Sequence, residues 1–94
     1  ITWDVSTSPV AKVTLTASTG TLSAPTNGVA GQFISLTVIQ DGTGSRTLTW
    51  NSAYSFTAAT APTLTTTASQ GDLFVFKYDG TKWLCVGTSL NLVV

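Results

Sequence analysis

The sequence predicts an all-β protein, a small antiparallel β-sandwich or barrel-like domain. Three observations predict it. The polar half of the chain is hydroxyl rather than charge, with 29 Ser and Thr among 94 residues and only 9% charged. Thr is β-branched and suits a pleated, half-exposed surface. Short runs alternate apolar and polar residues with a period of two, and no window sustains the i, i+3, i+4, i+7 pattern of a helix. Gly, Pro, Asn and Asp cluster between those runs, as turns require.

The elements follow in order. Lys12 to Ala17, KVTLTA, sets Val13 and Leu15 against Thr14 and Thr16. Phe33 to Gln40, FISLTVIQ, turns Ile34, Leu36 and Val38 one way and Ser35 and Thr37 the other. Arg46 to Trp50 places Leu48 and Trp50 on one face. Leu73 to Tyr78, LFVFKY, is apolar on both faces, which assigns it to the sheet centre or an interface. Lys82 to Thr88 is the last regular strand, and the tail Leu90–Val94 is apolar again.

Between them, Ala24 to Gly28 reads as a turn and Thr57 to Thr60 as a small-residue loop, after which Ala61-Pro62 begins an extended stretch. Asp41 to Ser45, DGTGS, reads as a longer hairpin loop joining Phe33–Gln40 to Arg46–Trp50. Asp79-Gly80 is the strongest hairpin signal, since a type I′ turn needs positive φ twice. The segments VTLTAS, SLTVIQ, RTLTWNS and PTLTTTAS share a flavour at irregular spacing, which marks common strand composition rather than a solenoid repeat.

No linker divides the chain, so residues 1–94 form a single β domain. It opens at Ile1 without Met, as expected for a fragment, a processed product or the ordered part of a longer protein. No signal peptide is legible at its start, and its apolar runs are too short for a membrane helix. With 43% hydrophobic residues it can build a core, yet so small a domain buries only about 60–65% of its unfolded surface. Cys85 is the only cysteine, so no internal disulfide is available, and oligomerisation becomes the expected source of added stability.

The composition also excludes functions. Net charge is zero, from four basic and four acidic residues, which removes the electrostatic case for nucleic acid or an anionic membrane. There is no His or Glu, hence none of the commonest general bases. Ten Ser residues and Cys85 have no His to activate them; a Ser–Lys pair from Lys12, Lys77 or Lys82 is the alternative left, though no SxxK occurs. The only carboxylates are Asp4, Asp41, Asp72 and Asp79, which read as turn and strand-entrance residues rather than a catalytic pair or a calcium loop. Gly42 and Gly44 lack the remainder of a phosphate or dinucleotide motif. No catalytic, cofactor or metal residues are therefore assigned. Cys85 reads as a small buried hydrophobe.

The aromatics are read first as core or interface. Where any is free to stack on a pyranose or touch a partner, Tyr54 and Phe56 in the Asn51–Thr57 segment are best placed, and Trp83 after the hairpin is next.

One combination of motifs is more specific. Gly31-Gln32 precedes a strand, and Gln40 to Thr47, QDGTGSRT, follows it. Then come Trp50, Ala61 to Leu64, the strand opened by Asp72 and running to Phe76, and Asp79 to Trp83, DGTKW. In this order they resemble a β-rich module of tailed-bacteriophage virion proteins, found in tail fibres, spikes, head fibres and capsid decoration proteins. The family often has Asn where Lys82 stands. The resemblance implies a non-enzymatic structural domain, homotrimeric, that projects from or attaches to the virion. It implies other virion proteins as partners, no cofactor, no nucleic acid, no membrane insertion, and assembly in the host bacterial cytoplasm, where a free Cys is tolerated. The alternative is a receptor-binding module that takes a host surface glycan on the exposed aromatics Tyr54, Phe56 and Trp83.

Overall fold

The structure is a computed structural model that describes residues 2–16, 19–56 and 63–93. Every regular element among them is a strand: β1 (Val10–Leu15), β2 (Thr19–Leu22), β3 (Phe33–Gln40), β4 (Thr47–Trp50), β5 (Tyr54–Ser55), β6 (Gln70–Tyr78) and β7 (Trp83–Val93). Five of them form one curled sheet in the order β1-β3-β6-β7-β5, and β2 and β4 form a second, two-stranded sheet. The chain is all-β, as its composition predicts. The Thr57–Thr60 loop and the start at Ala61-Pro62 lie outside the described residues.

The centre of the large sheet is antiparallel. β3 pairs with β6 and β6 with β7, so LFVFKY is the middle strand, as its two apolar faces require. The flanks differ from a purely antiparallel sheet, because β1 lies parallel to β3 and β5 parallel to β7. The small sheet is parallel too, with Thr19 opposite Thr47 and Leu22 opposite Trp50. A common path explains the β1–β3 and β2–β4 pairs. The chain runs in the large sheet as β1 and next enters the small sheet as β2. It returns through residues 23–32 and repeats the path as β3 and β4. Two successive units therefore lie side by side in the same direction.

This path changes the reading of Asp41 to Ser45. The segment does not close a hairpin, since β3 and β4 belong to different sheets. It is a corner, and its side chains serve the corner. Gln40 is buried, and its amide is bonded at both ends. Its Nε2 donates to the carbonyls of Arg46 (2.9 Å) and Thr65 (2.8 Å), and its Oε1 accepts the Arg46 N–H at 2.9 Å. Asp41 Oδ1 accepts the N–H groups of Thr43 and Gly44 at 3.0 and 3.1 Å, and Oδ2 meets Arg46 Nη2 at 3.0 Å. Gly44 has φ +73°, and a Cβ there would stand 2.7 Å from the Thr66 carbonyl oxygen.

The other hairpin is present. β6 and β7 are joined by the four residues 79–82, longer than a type I′ turn, and only Gly80 among them has positive φ. Asp79 closes the turn: its N–H donates to the Lys82 carbonyl (3.1 Å), and its Oδ1 accepts the N–H groups of Thr81 (2.8 Å) and Lys82 (2.7 Å). β7 then runs on through the apolar tail to Val93, so Leu90–Val93 extends a strand that pairs with β6.

The core fills the concave side of the curl. Ile34, Leu36 and Val38 point inward from β3, as their spacing predicts, beside Phe74 and Phe76 of β6. Leu15 and Leu22 join them, and Trp3 and Val5 of the N-terminal segment complete the cluster. That segment is held by the Trp3 indole N–H on the Ser8 carbonyl (2.6 Å) and by Gln32 Nε2 on the Val5 carbonyl (3.0 Å). From the small sheet, Trp50 sets its ring among Tyr54, Phe56, Phe74 and Phe76, with centroids 5.0 to 5.9 Å away.

The corner yields a paired prediction. Gly44→Ala forces a Cβ onto backbone at a left-handed position and is expected to destabilise by about 1–3 kcal/mol. Gly42→Ala, in the same loop but facing open space, is expected to stay within about 0.5 kcal/mol of the parent. Urea titration of the two variants checks both values.

Candidate functional site

The aromatics singled out by sequence sit at one end of the fold. Tyr54 is 5% exposed and donates its hydroxyl to the Ser23 carbonyl at 3.0 Å. Burial pushes its phenol well above the usual value of 10.0. Trp83 is 2% exposed and stacks on Tyr78, centroids 4.4 Å apart. Its other neighbour is Gly28, where a Cβ would come 2.5 Å from Trp83 Cζ2. These two rings are thus spent on packing, because each closes the space between a loop and the sheet, and neither offers a face to solvent. Phe56 is half-buried against the core. With Ser52, Ser55, Lys82 and the edge of Tyr54 it lines a shallow concavity of about 220 Å³. Lys82 Nζ is fixed there on the Ser52 carbonyl at 2.6 Å.

The carboxylates take structural places. Asp72 is buried and faces neutral donors. Its Oδ2 accepts the Thr65 N–H (2.7 Å), and its Oδ1 accepts the Thr65 hydroxyl (2.7 Å) and the Asn91 N–H (3.0 Å). Asn91 can reach it because β7 shifts register between the partners of Gly71 and Leu73, and Asn91 itself has φ +57°. One carboxylate therefore ties the returning segment at Thr65 to both β6 and β7. Asp4, Asp41 and Asp79 lie at turns. The Ser6 hydroxyl, ahead of the Asn27 side chain, holds Asp4 below the usual 3.8. The Arg46 guanidinium does the same for Asp41, and the backbone N–H groups of Lys82 and Thr81 for Asp79. Cys85 is half-buried on β7, with Sγ 3.4 Å from the Thr88 hydroxyl.

The convex face of the large sheet carries residues that the sequence alone does not single out. Val10 (76% exposed), Phe33 (59%) and Val86 (56%) stand on it, with Leu84 also exposed and Val75 and Leu73 half-buried between them. The registers set Val10 beside Ser35, Ser35 beside Val75, and Phe33 beside Lys77 beside Leu84, so the patch crosses the sheet from β1 to β7. Lys77 Nζ lies 5.5 Å over the Phe33 ring. A signal for this patch was available. Phe33 is out of phase with Ile34, Leu36 and Val38, and Val10 is in phase with Lys12 and Thr14, so period two assigns both to the outer face.

A curled all-β module with loop-held corners and an apolar convex face is the class of protein defined here. Residues 1–83 match the family model described as "Putative phage tail fibre C-terminal domain". The chain belongs to that family: it is a phage tail-fibre-type module, a structural component of the virion that associates with other virion proteins. Neither the curated proteins nor the solved structures contain a significant match to it.

The carboxylates generate two predictions. Asp72→Asn turns one acceptor oxygen into a donor against the N–H of Thr65 or Asn91, and is expected to destabilise by about 2–3 kcal/mol in chemical unfolding. The turn carboxylates set the acid dependence. Their folded values are depressed, so the unfolded chain binds protons first on acidification. Stability from Asp4, Asp41 and Asp79 is thus full above the usual 3.8 and is lost as pH falls through their depressed folded values. The melting temperature should hold steady down to about pH 5 and fall below about pH 4. A series of thermal melts from neutral to acid pH measures it.

Proposed function

We propose that the chain is a non-enzymatic structural domain of the fibre that works as a homotrimer, its subunits meeting through the convex face of the five-stranded sheet. The observation that supports this is the patch of Val10, Phe33, Leu84 and Val86, on a face to which β1, β3, β6 and β7 bring only Lys12 and Lys77 as charges. A soluble domain leaves so apolar a sheet face uncovered only where something packs on it. The surface is otherwise hydroxyl-rich and nearly charge-free, so little repulsion opposes contact between copies. A fibre is favoured over a spike or a capsid decoration by the description of the matching family. Assembly in the reducing host cytoplasm fits a chain with one free thiol and no disulfide.

A second reading keeps a contact role for the end of the fold that holds Tyr54, Phe56 and Trp83. The concavity beside Phe56 favours it, since two Ser hydroxyls and the Lys82 amine flank an aromatic ring there. In that reading Phe56 makes the contact with a glycan or partner, while Tyr54 lines the concavity and Trp83, its ladder partner on β7, supports Tyr54. Phe56→Ala is then expected to abolish any saccharide binding found by array or by tryptophan fluorescence; because Phe56 also packs on Trp50 and Phe76, Lys82→Ala, which leaves that ring cluster intact, should weaken the same binding.

For the first reading, light scattering after size exclusion is expected to give a mass three times that of the 9.8 kDa chain, unchanged on dilution. Phe33→Asp, placing a charge in the patch without touching the core, should give the monomer. A native chain that is monomeric at every concentration rejects the trimer.

A further inference from the structure

β1 is an edge of the five-stranded sheet among the described residues. Its ladder to β3 uses alternate residues. The Ser35 N–H donates to the Pro9 carbonyl (3.0 Å), and the parallel register of Val10 with Ser35 continues that pattern through Ala11 and Val13. The N–H and C=O groups of Val10, Lys12 and Thr14 therefore point away from the sheet. A cavity of about 380 Å³ runs along this edge, touching four consecutive residues of β1, Val10 to Val13. Trp3 and Ser8 of the N-terminal segment make its wall, Leu22 and Leu36 lie at its floor, and Asp4 and Lys12 stand at its rim. Lys12 makes no ion pair among the described residues.

We infer that this edge is a docking site for an extended segment of a partner protein, which adds to the sheet as a strand beside β1. The free backbone groups of Val10, Lys12 and Thr14 would supply the ladder. The cavity above Leu22 and Leu36 has room for apolar side chains of such a segment, and the Lys12 ammonium, which makes no ion pair among the described residues, favours an acidic residue beside them. A second copy's β1 is a poor occupant. The edge is recessed behind the N-terminal segment, and two recessed edges cannot approach each other, whereas a free extended segment can enter.

The test uses the full 94-residue chain and a synthetic peptide of alternating threonine and valine with a central glutamate. Amide exchange followed by NMR is expected to slow at Val10, Lys12 and Thr14 on adding peptide, and to stay unchanged at Ala11 and Val13, which already donate to β3. Lys12→Pro removes an outward N–H that the sheet does not use, a place where an edge strand tolerates proline. It should lower peptide affinity by about tenfold or more. The same peptide N-methylated at alternate amides should not bind the native chain, which tests the ladder without altering the protein. Replacing its glutamate by lysine should weaken binding. The inference is overturned if the three amides exchange at the free rate with millimolar peptide present. Equal binding of the N-methylated peptide overturns it as well. Slowing of the same amides with rising protein concentration and no peptide would overturn it in favour of self-association at this edge.

Discussion

The fold depends on closing a five-stranded sheet with a sheet of only two strands. β2 and β4 are four residues each, so the small sheet brings few side chains to the core, and those must be large. Trp50 meets the need. Its ring stands edge-on to Tyr54, Phe56 and Phe74 and tilted against Phe76, which links the small sheet to β6 and to the segment after β4 in one cluster. Each such pair contributes about 0.5–1.5 kcal/mol beyond its burial. Losing a core aromatic costs about 3–5 kcal/mol, a large part of the roughly 5–15 kcal/mol a domain has. With no disulfide available through Cys85, no covalent link would offset that loss. The same scarcity explains why Trp83 and Tyr54 are core residues: the space under the loops at Gly28 and Ser23 is filled by rings because few other side chains reach it.

Once the sheets are closed in this way, the connections are constrained. A chain that alternates between two sheets needs corners, and a corner leaves backbone groups without ladder partners. Gln40 and Asp41 supply partners from their side chains, and Asp72 does so where the chain comes back at Thr65. This accounts for the Gln-Asp-x-Thr-Gly-x-Arg pattern in physical terms. Gln40 spans the corner, Asp41 caps the turn N–H groups, Gly44 takes a conformation and a space that a side chain cannot, and Arg46 orients the carboxylate. As a pair near the surface, Arg46 and Asp41 add little energy. Their value lies in the geometry they select.

How much of the fold and site was legible follows from what is local. Strand faces are local: Val13 with Leu15, Ile34 with Leu36 and Val38, and Leu48 with Trp50 all fall where alternation puts them. The central place of Leu73–Tyr78 is legible from its two apolar faces. The pairing partners are not local. DGTGS between two strands has the composition of a hairpin, and nothing in those five residues tells that the second strand enters another sheet beside β2. The shared flavour of VTLTAS, SLTVIQ, RTLTWNS and PTLTTTAS reflects strand composition and does not tell which strands pair: β1 lies beside β3, and β4 beside β2. The aromatics read as core or interface, but which of them are buried is not local: for Tyr54 and Trp83 it is decided by Ser23 and Gly28, far away in the chain.

The two outward surfaces differ in kind, and that difference bears on assembly. The convex face offers side chains, Phe33 and Val86 foremost, and no free backbone. The edge of β1 offers backbone and a recess, with Lys12 at its rim. An exposed apolar sheet face is the kind of surface that the proposed contact between copies would cover. An exposed strand edge is a hazard unless it is blunted, and here a lysine and the overhang of the N-terminal segment blunt it against other sheets while leaving room for a single extended segment. In the proposed assembly the convex face would join the copies and the edge of β1 would take a different chain, and because Val10 and Lys12 border both surfaces the two contacts would meet along β1.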